Sequence, residues 1–92
     1  MSYYCFELSQ PILAWETERM YIPVTDEEFI RSIPAEIWQR AQQGDFDAVR
    51  EVFSLAMDKG YDNEFIDREF MDFVDESSPY YNDREATFEV TN

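Results

Sequence analysis

The stretch from Asp62 to Glu76, DNEFIDREFMDFVDE, decides how this chain is put together. It carries seven carboxylates (Asp62, Glu64, Asp67, Glu69, Asp72, Asp75 and Glu76) against one cation, Arg68. At about 100° per residue, Ile66, Phe70, Phe73 and Val74 share one helical face, with Glu64, Glu69, Asp72, Asp75 and Glu76 roughly opposite. The spacing predicts an amphipathic helix about 21 Å long, with a carboxylate every ~3.5 Å of axis. One strand of duplex DNA presents a phosphate about every 3.4 Å. The match in spacing directs attention to the charge of the rest of the chain.

Working outward, the preceding segment is a second helix. Asp45 or Asp47 caps it, and Phe46, Val49, Phe53, Ala56 and Met57 recur at spacings of three and four. Lys59 falls in its last turn and Gly60 ends it. A tight Gly60-Tyr61 corner then predicts antiparallel packing of the two helices. On the other side, Ser77-Ser78-Pro79 closes the acidic helix and Tyr80 to Asp83 forms a loop. Arg84 to Thr91 reads as a strand, with Ala86, Phe88 and Val90 alternating with Glu85, Thr87 and Glu89.

The N-terminal part begins with a strand. Across Ser2 to Ser9, Tyr4, Phe6 and Leu8 face one way and Tyr3, Cys5 and Glu7 the other, up to a break at Gln10-Pro11. Ile12 to Val24 is extended, either one bent strand or a hairpin turning at Glu16 to Arg19. Thr25-Asp26-Glu27-Glu28 starts a helix, with Thr25 as cap and Glu28 completing a capping box. Pro34 ends it and opens another carrying Ile37, Trp38 and Ala41, which stops at Gly44. Strands at both ends with helices between predict an α+β domain over 1–92: a small antiparallel sheet from the N- and C-terminal strands packed against three or four helices.

Composition narrows the function. The 92 residues are 45% apolar and 17% aromatic, too hydrophobic for a disordered acidic tail. Yet 21 Asp and Glu face 7 Lys and Arg, for a net charge of −14. Solubility asks for a magnitude of only about 2 to 8. A basic partner accounts for the surplus; adaptation to high salt is the plain alternative. Direct binding of nucleic acid is disfavoured, because the seven cations are spread evenly rather than gathered in a patch. Cys5 is the single cysteine, read as a small buried residue on a strand. No stretch has signal-peptide or membrane length, and the expected compartment is the cytoplasm.

Chemistry is constrained by what the chain lacks. It contains no histidine, and Gly44 and Gly60 are its only glycines, which excludes a glycine-rich phosphate loop. Carboxylate pairs such as Asp72 with Glu76, or Glu27 with Glu28, arise by chance among so many acids. Asp58 to Asp67 departs from the calcium-loop pattern at Asn63, where glycine is required. The expectation is a non-enzyme with no catalytic residues, metal or cofactor. Trp15, Trp38 and the phenylalanines are expected in the core. Tyr61, Tyr80 and Tyr81 lie in turns beside carboxylates, either as interaction hot spots or lying over the core edge.

A small, acidic, aromatic-rich chain without histidine resembles, in size and composition, the phage and mobile-element inhibitors of bacterial defence. These are the anti-CRISPR and anti-restriction proteins, to which the uracil-DNA glycosylase inhibitor is related in idea. The resemblance implies a DNA-mimicking inhibitor of a basic nucleic-acid-binding protein or ribonucleoprotein, such as a CRISPR effector, nuclease or restriction enzyme. On the residues themselves, the candidate partner-binding set is Asp62, Glu64, Glu69, Asp72, Asp75 and Glu76. Tyr80 and Tyr81 would serve as aromatic anchors in a second reading, an immunity protein or antitoxin against a basic toxin nuclease. Asp26, Glu27 and Glu28 form a further acidic spot whose simpler role is helix capping.

Overall fold

Period-two alternation in the first strand sets the layers. In a computed structural model, which describes residues 2–11, 14–61, 63–70 and 84–92 (11, 14, 15 and 65–70 as backbone alone), strand β1 spans Tyr3–Pro11. It is followed by β2 (Ala14–Pro23), helices α1 (Glu27–Ser32), α2 (Ala35–Gln42) and α3 (Phe46–Lys59), then β3 (Asn63–Phe70) and β4 (Glu85–Thr91). The strands form one antiparallel sheet in the order β3-β2-β1-β4. The expected α+β architecture is present, with three helices among the described residues.

Tyr4, Phe6 and Leu8 of β1 sit opposite Ile22, Met20 and Glu18 of β2, and opposite Val90, Phe88 and Ala86 of β4. All the apolar members of this face except Val90, which is exposed, meet Phe29, Ile33, Ala41, Ala48, Val49, Val52, Phe53 and Ala56 from the helices to make the core. Trp38 seals its edge, its ring 5.1 Å from that of Tyr4 and 5.6 Å from that of Phe6. Such edge-to-face pairs suit the aromatic quadrupole. Tyr61 also lies over the core edge, 5.4 Å from Phe29, rather than standing free as a hot spot.

Helix signals are mostly obeyed, with small shifts. Asp45 caps α3 by accepting the Ala48 N–H at 3.1 Å, and Gly60 ends it at φ +109°, a conformation that suits glycine. In α1 the cap is Asp26, which accepts the Phe29 N–H at 3.3 Å, and not Thr25. The turn leaving β2, closed by the Asp26 N–H on the Pro23 carbonyl at 3.0 Å, delays the helix by one residue. Met57, expected on the apolar face of α3, is exposed, and Val52 takes a place in the core.

Two expectations for the strands are corrected, and a third, left open between one strand and a hairpin, is decided. Residues 63–70 form a strand, not a helix, so α3 is followed by β3 instead of an antiparallel helical partner. Pairing with β2 satisfies one backbone edge, and the register sets Glu64 opposite Arg19 and Arg68 opposite Glu16, favourable cross-strand charge combinations. Aromatic and β-branched residues at 65, 66 and 70 also favour the pleated state. Ile66 has no opposite number, since Phe65 faces Glu18 and Asp67 faces Thr17; this is a bulge on an edge strand.

The Ala14–Pro23 segment is one strand, and Glu16 to Arg19 lies within it, not at a turn. β1 runs through Gln10 to Pro11. Its pairing with β4 reaches only Ser9↔Glu85, so beyond that point it has a described neighbour on one side alone. The remainder of the expected acidic helix, its Ser77-Ser78-Pro79 stop and the Tyr80 to Asp83 loop lie outside the described residues.

Candidate functional site

The same alternation that builds the core leaves the second sheet face without a helix among the described residues. Tyr3, Cys5, Glu7 and Ser9 of β1 align with Pro23, Tyr21, Arg19 and Thr17 of β2, and with Thr91, Glu89, Thr87 and Glu85 of β4. On the far side of β2, Glu64 stands opposite Arg19. Glu64, Glu85 and Glu89 are exposed. The face therefore carries an acidic edge on β4, another acid on β3, and polar residues between.

Arg19 is the only cation among the described side chains of this face, and it is already engaged. Its Nε and Nη2 donate to one Glu7 oxygen at 2.8 and 2.5 Å, and Nη1 donates to the Tyr21 hydroxyl at 3.1 Å. The Glu7 hydrogen bonds, followed by that to Tyr21, hold the guanidinium proton still more firmly than usual. Beside this pair, Ser9 and Thr17 share a hydroxyl hydrogen bond of 2.9 Å. Cys5 is only 2% exposed, and desolvation raises its thiol pKa while Arg19 opposes the rise. A protonated thiol at that position is a poor nucleophile.

The centre of the face is thus neutralised internally, whereas the edges are not. Strand spacing puts β3 and β4 about 14 Å apart, and Glu85 and Glu89 lie about 14 Å apart along β4. Both distances exceed the Debye length of ~10 Å at 0.1 M salt. The edge carboxylates therefore repel one another only weakly, while all of them add to the field seen by an approaching cation. At one end of the face Tyr3 and Tyr21 meet edge to face, 6.0 Å between centroids, and with Thr91 and Asn92 they line a shallow groove.

Of the residues singled out from the sequence, Glu64 lies exposed on β3, and Glu69 occupies a β3 position opposite Trp15. Asp62, Asp72, Asp75, Glu76, Tyr80 and Tyr81 lie outside the described residues. Glu64 joins Glu7, Glu85 and Glu89, which sequence reasoning had treated only as the polar sides of two separate strands. Antiparallel pairing of β1 with β4 brings those sides onto one face. Their alternation was the available signal; the missing information was which strands are neighbours. Asp26 is occupied as a cap, and Glu27 pairs with Arg31 at 3.1 Å, so that cluster serves α1.

Asp58 lies in the last turn of α3 and residues 63–67 belong to β3, so the stretch resembling a calcium loop contains helix end and strand. Among the described residues, no group of three or more Cys, Asp or Glu is disposed to hold a metal ion. No described helix is long and apolar enough to cross a membrane. No family model, curated protein or solved structure matches this chain.

Proposed function

We propose that this protein is a non-catalytic inhibitor that occupies the basic nucleic-acid-binding groove of a bacterial defence complex, with carboxylates standing in for phosphates. The partner is a CRISPR effector, a nuclease or a restriction enzyme. One observation carries the reading: exposed Glu64, Glu85 and Glu89 flank a sheet face whose described cation, Arg19, is committed to Glu7. The acidic edges stand about 14 Å apart, of the same order as the ~12 Å width of a DNA major groove. A net charge of −14 would speed encounter with a Lys- and Arg-lined channel and make the complex salt-sensitive. Asp62, Glu69, Asp72, Asp75 and Glu76 extend the acidic set in this proposal.

The test is competition. The protein is expected to displace duplex DNA from the target complex at low salt and to lose that capacity as salt rises. Displacement insensitive to salt would rule out an electrostatic mimic. A second reading, an immunity protein against a basic toxin nuclease, gains support from the Tyr3–Tyr21 pair at the end of the open face, which suits an aromatic anchor. It differs in outcome: such a protein binds its nuclease without having to displace nucleic acid, and a toxin gene lies beside its own.

A further inference from the structure

The groove at the end of the open face is built differently from the acidic edges, and its chemistry points to a particular contact. Tyr3 and Tyr21 form its aromatic wall at an interplanar angle of 80°, and Thr91 and Asn92 line the rest. Tyr21 is 37% exposed, so its ring is accessible from solvent. Asn92 is held in place by the Ser2 hydroxyl, which donates to its Oδ1 at 2.5 Å. Glu89, two residues before Thr91 on the same face of β4, puts an exposed carboxylate about 7 Å along the strand.

The ring of Tyr21 already serves one guanidinium. The Arg19 Cζ lies 5.9 Å from its centroid while Nη1 donates to the hydroxyl. In the strand register the Arg19–Glu7 row lies on one side of Tyr21 and the Tyr3–Thr91 row on the other. The groove therefore opens on the side that Arg19 leaves free. An electron-rich ring wall, with the exposed Glu89 carboxylate farther along the same face, is complementary to a cation, and the planar guanidinium stacks where an ammonium cannot.

We infer that the groove of Tyr3, Tyr21, Thr91 and Asn92 seats an arginine side chain of the protein partner and is the anchor of the docking face. The inference rests on the reading of a basic partner given above. The acidic edges attract the partner from a distance, and the tyrosine groove fixes where its arginine lands. An apolar side chain or a second copy of this chain in the groove would show no preference for positive charge.

The test uses the full chain, labelled for NMR, and three capped tripeptides: Gly-Arg-Gly, Gly-Lys-Gly and Gly-citrulline-Gly, the last neutral and nearly the same shape as arginine. The arginine peptide is expected to shift the resonances of Tyr3, Tyr21, Glu89, Thr91 and Asn92, with lysine weaker and citrulline without effect. Tyr21→Phe keeps the ring and should retain the affinity, whereas Tyr21→Leu should lose about two- to fivefold, the scale of an exposed cation–π contact. Tyr3→Leu provides a second variant if the first perturbs the fold, which the amide spectrum reports directly. Unchanged affinity in the leucine variants, with shifts centred on Glu64 and Glu85 that fade with salt, overturns the groove and leaves the basic-partner reading intact. Equal binding of the arginine and citrulline peptides overturns the groove as an arginine seat; the salt-dependent competition described above tests the basic-partner reading separately.

Discussion

Two faces of one sheet, made by alternate residues of the same strands, have opposite characters. Toward the helices, Phe6, Met20 and Ile22 are completely buried. Toward solvent, Glu7 and Arg19 retain 28% and 30% of their side-chain exposure even while paired, and Glu64, Glu85 and Glu89 stand free of the core. The first face draws its stability from apolar area removed from water. The second contributes little, because surface ion pairs are worth at most about 1 kcal/mol. A face that adds little to stability yet concentrates charge is free to be shaped by binding, and that division of labour gives the expectations below.

The largest effect belongs to the buried face. Phe6→Ala should lower stability by about 3–5 kcal/mol, seen as a reduced midpoint in urea unfolding. Next comes the turn that fastens the helices to β4. Gly44 has φ +82°, and a Cβ there would lie 3.1 Å from the Ala86 carbonyl oxygen. Gly44→Ala is expected to cost roughly 1–2 kcal/mol from the left-handed backbone, with the close approach adding to it. A Gly44→Ala protein as stable as the parent would show that this turn is not held as described.

On the open face the expectation reverses. Glu64→Lys with Glu85→Lys and Glu89→Lys takes the net charge from −14 to −8, two units for each reversal. Less self-repulsion leaves the melting temperature unchanged or slightly raised, while binding to the proposed basic partner is expected to be lost. The smallest effect is a pH dependence at α3. The Ala48 backbone hydrogen bond, then the Arg40 guanidinium, holds the Asp45 carboxyl below its ordinary 3.8. With the folded value depressed, this group's contribution is complete above the unfolded value and is lost as the pH falls through the folded one. Asp45→Asn preserves a capping oxygen and should flatten the acid limb of the stability curve, as measured by urea titrations at a series of pH values.

Much of the fold was legible in the sequence. The alternation at Tyr3 to Leu8 and at Ala86 to Phe88, the Asp45 cap and the Gly60 stop are all local signals, and each is matched in the structure; Val90, expected on the same side as Ala86 and Phe88, is exposed instead. Residues 63–70 were misread because their apolar spacing was judged together with Phe73 and Val74. Their real constraint is a neighbour 40 and more residues away in sequence, β2, whose Arg19 and Glu16 oppose Glu64 and Arg68. No window-based period contains that information. The candidate site was legible only in part for the same reason. Acidity was evident, and Glu64 was chosen from it, but the gathering of Glu7, Glu85 and Glu89 onto one face depends on strand order. The Tyr3–Tyr21 pairing depends likewise on the β1–β2 register.

The most direct test of the docking face compares two triple variants of identical net charge. One is Glu64→Lys/Glu85→Lys/Glu89→Lys on the open sheet face. The other is Glu28→Lys/Glu51→Lys/Asp58→Lys, at exposed positions on the helices. The measurement is displacement of labelled duplex DNA from the target defence complex at low salt. Displacement by the parent and by the helix-side variant, with none by the open-face variant, is the expected result. Equal displacement by both triple variants would contradict the assignment of the open sheet face as the docking surface.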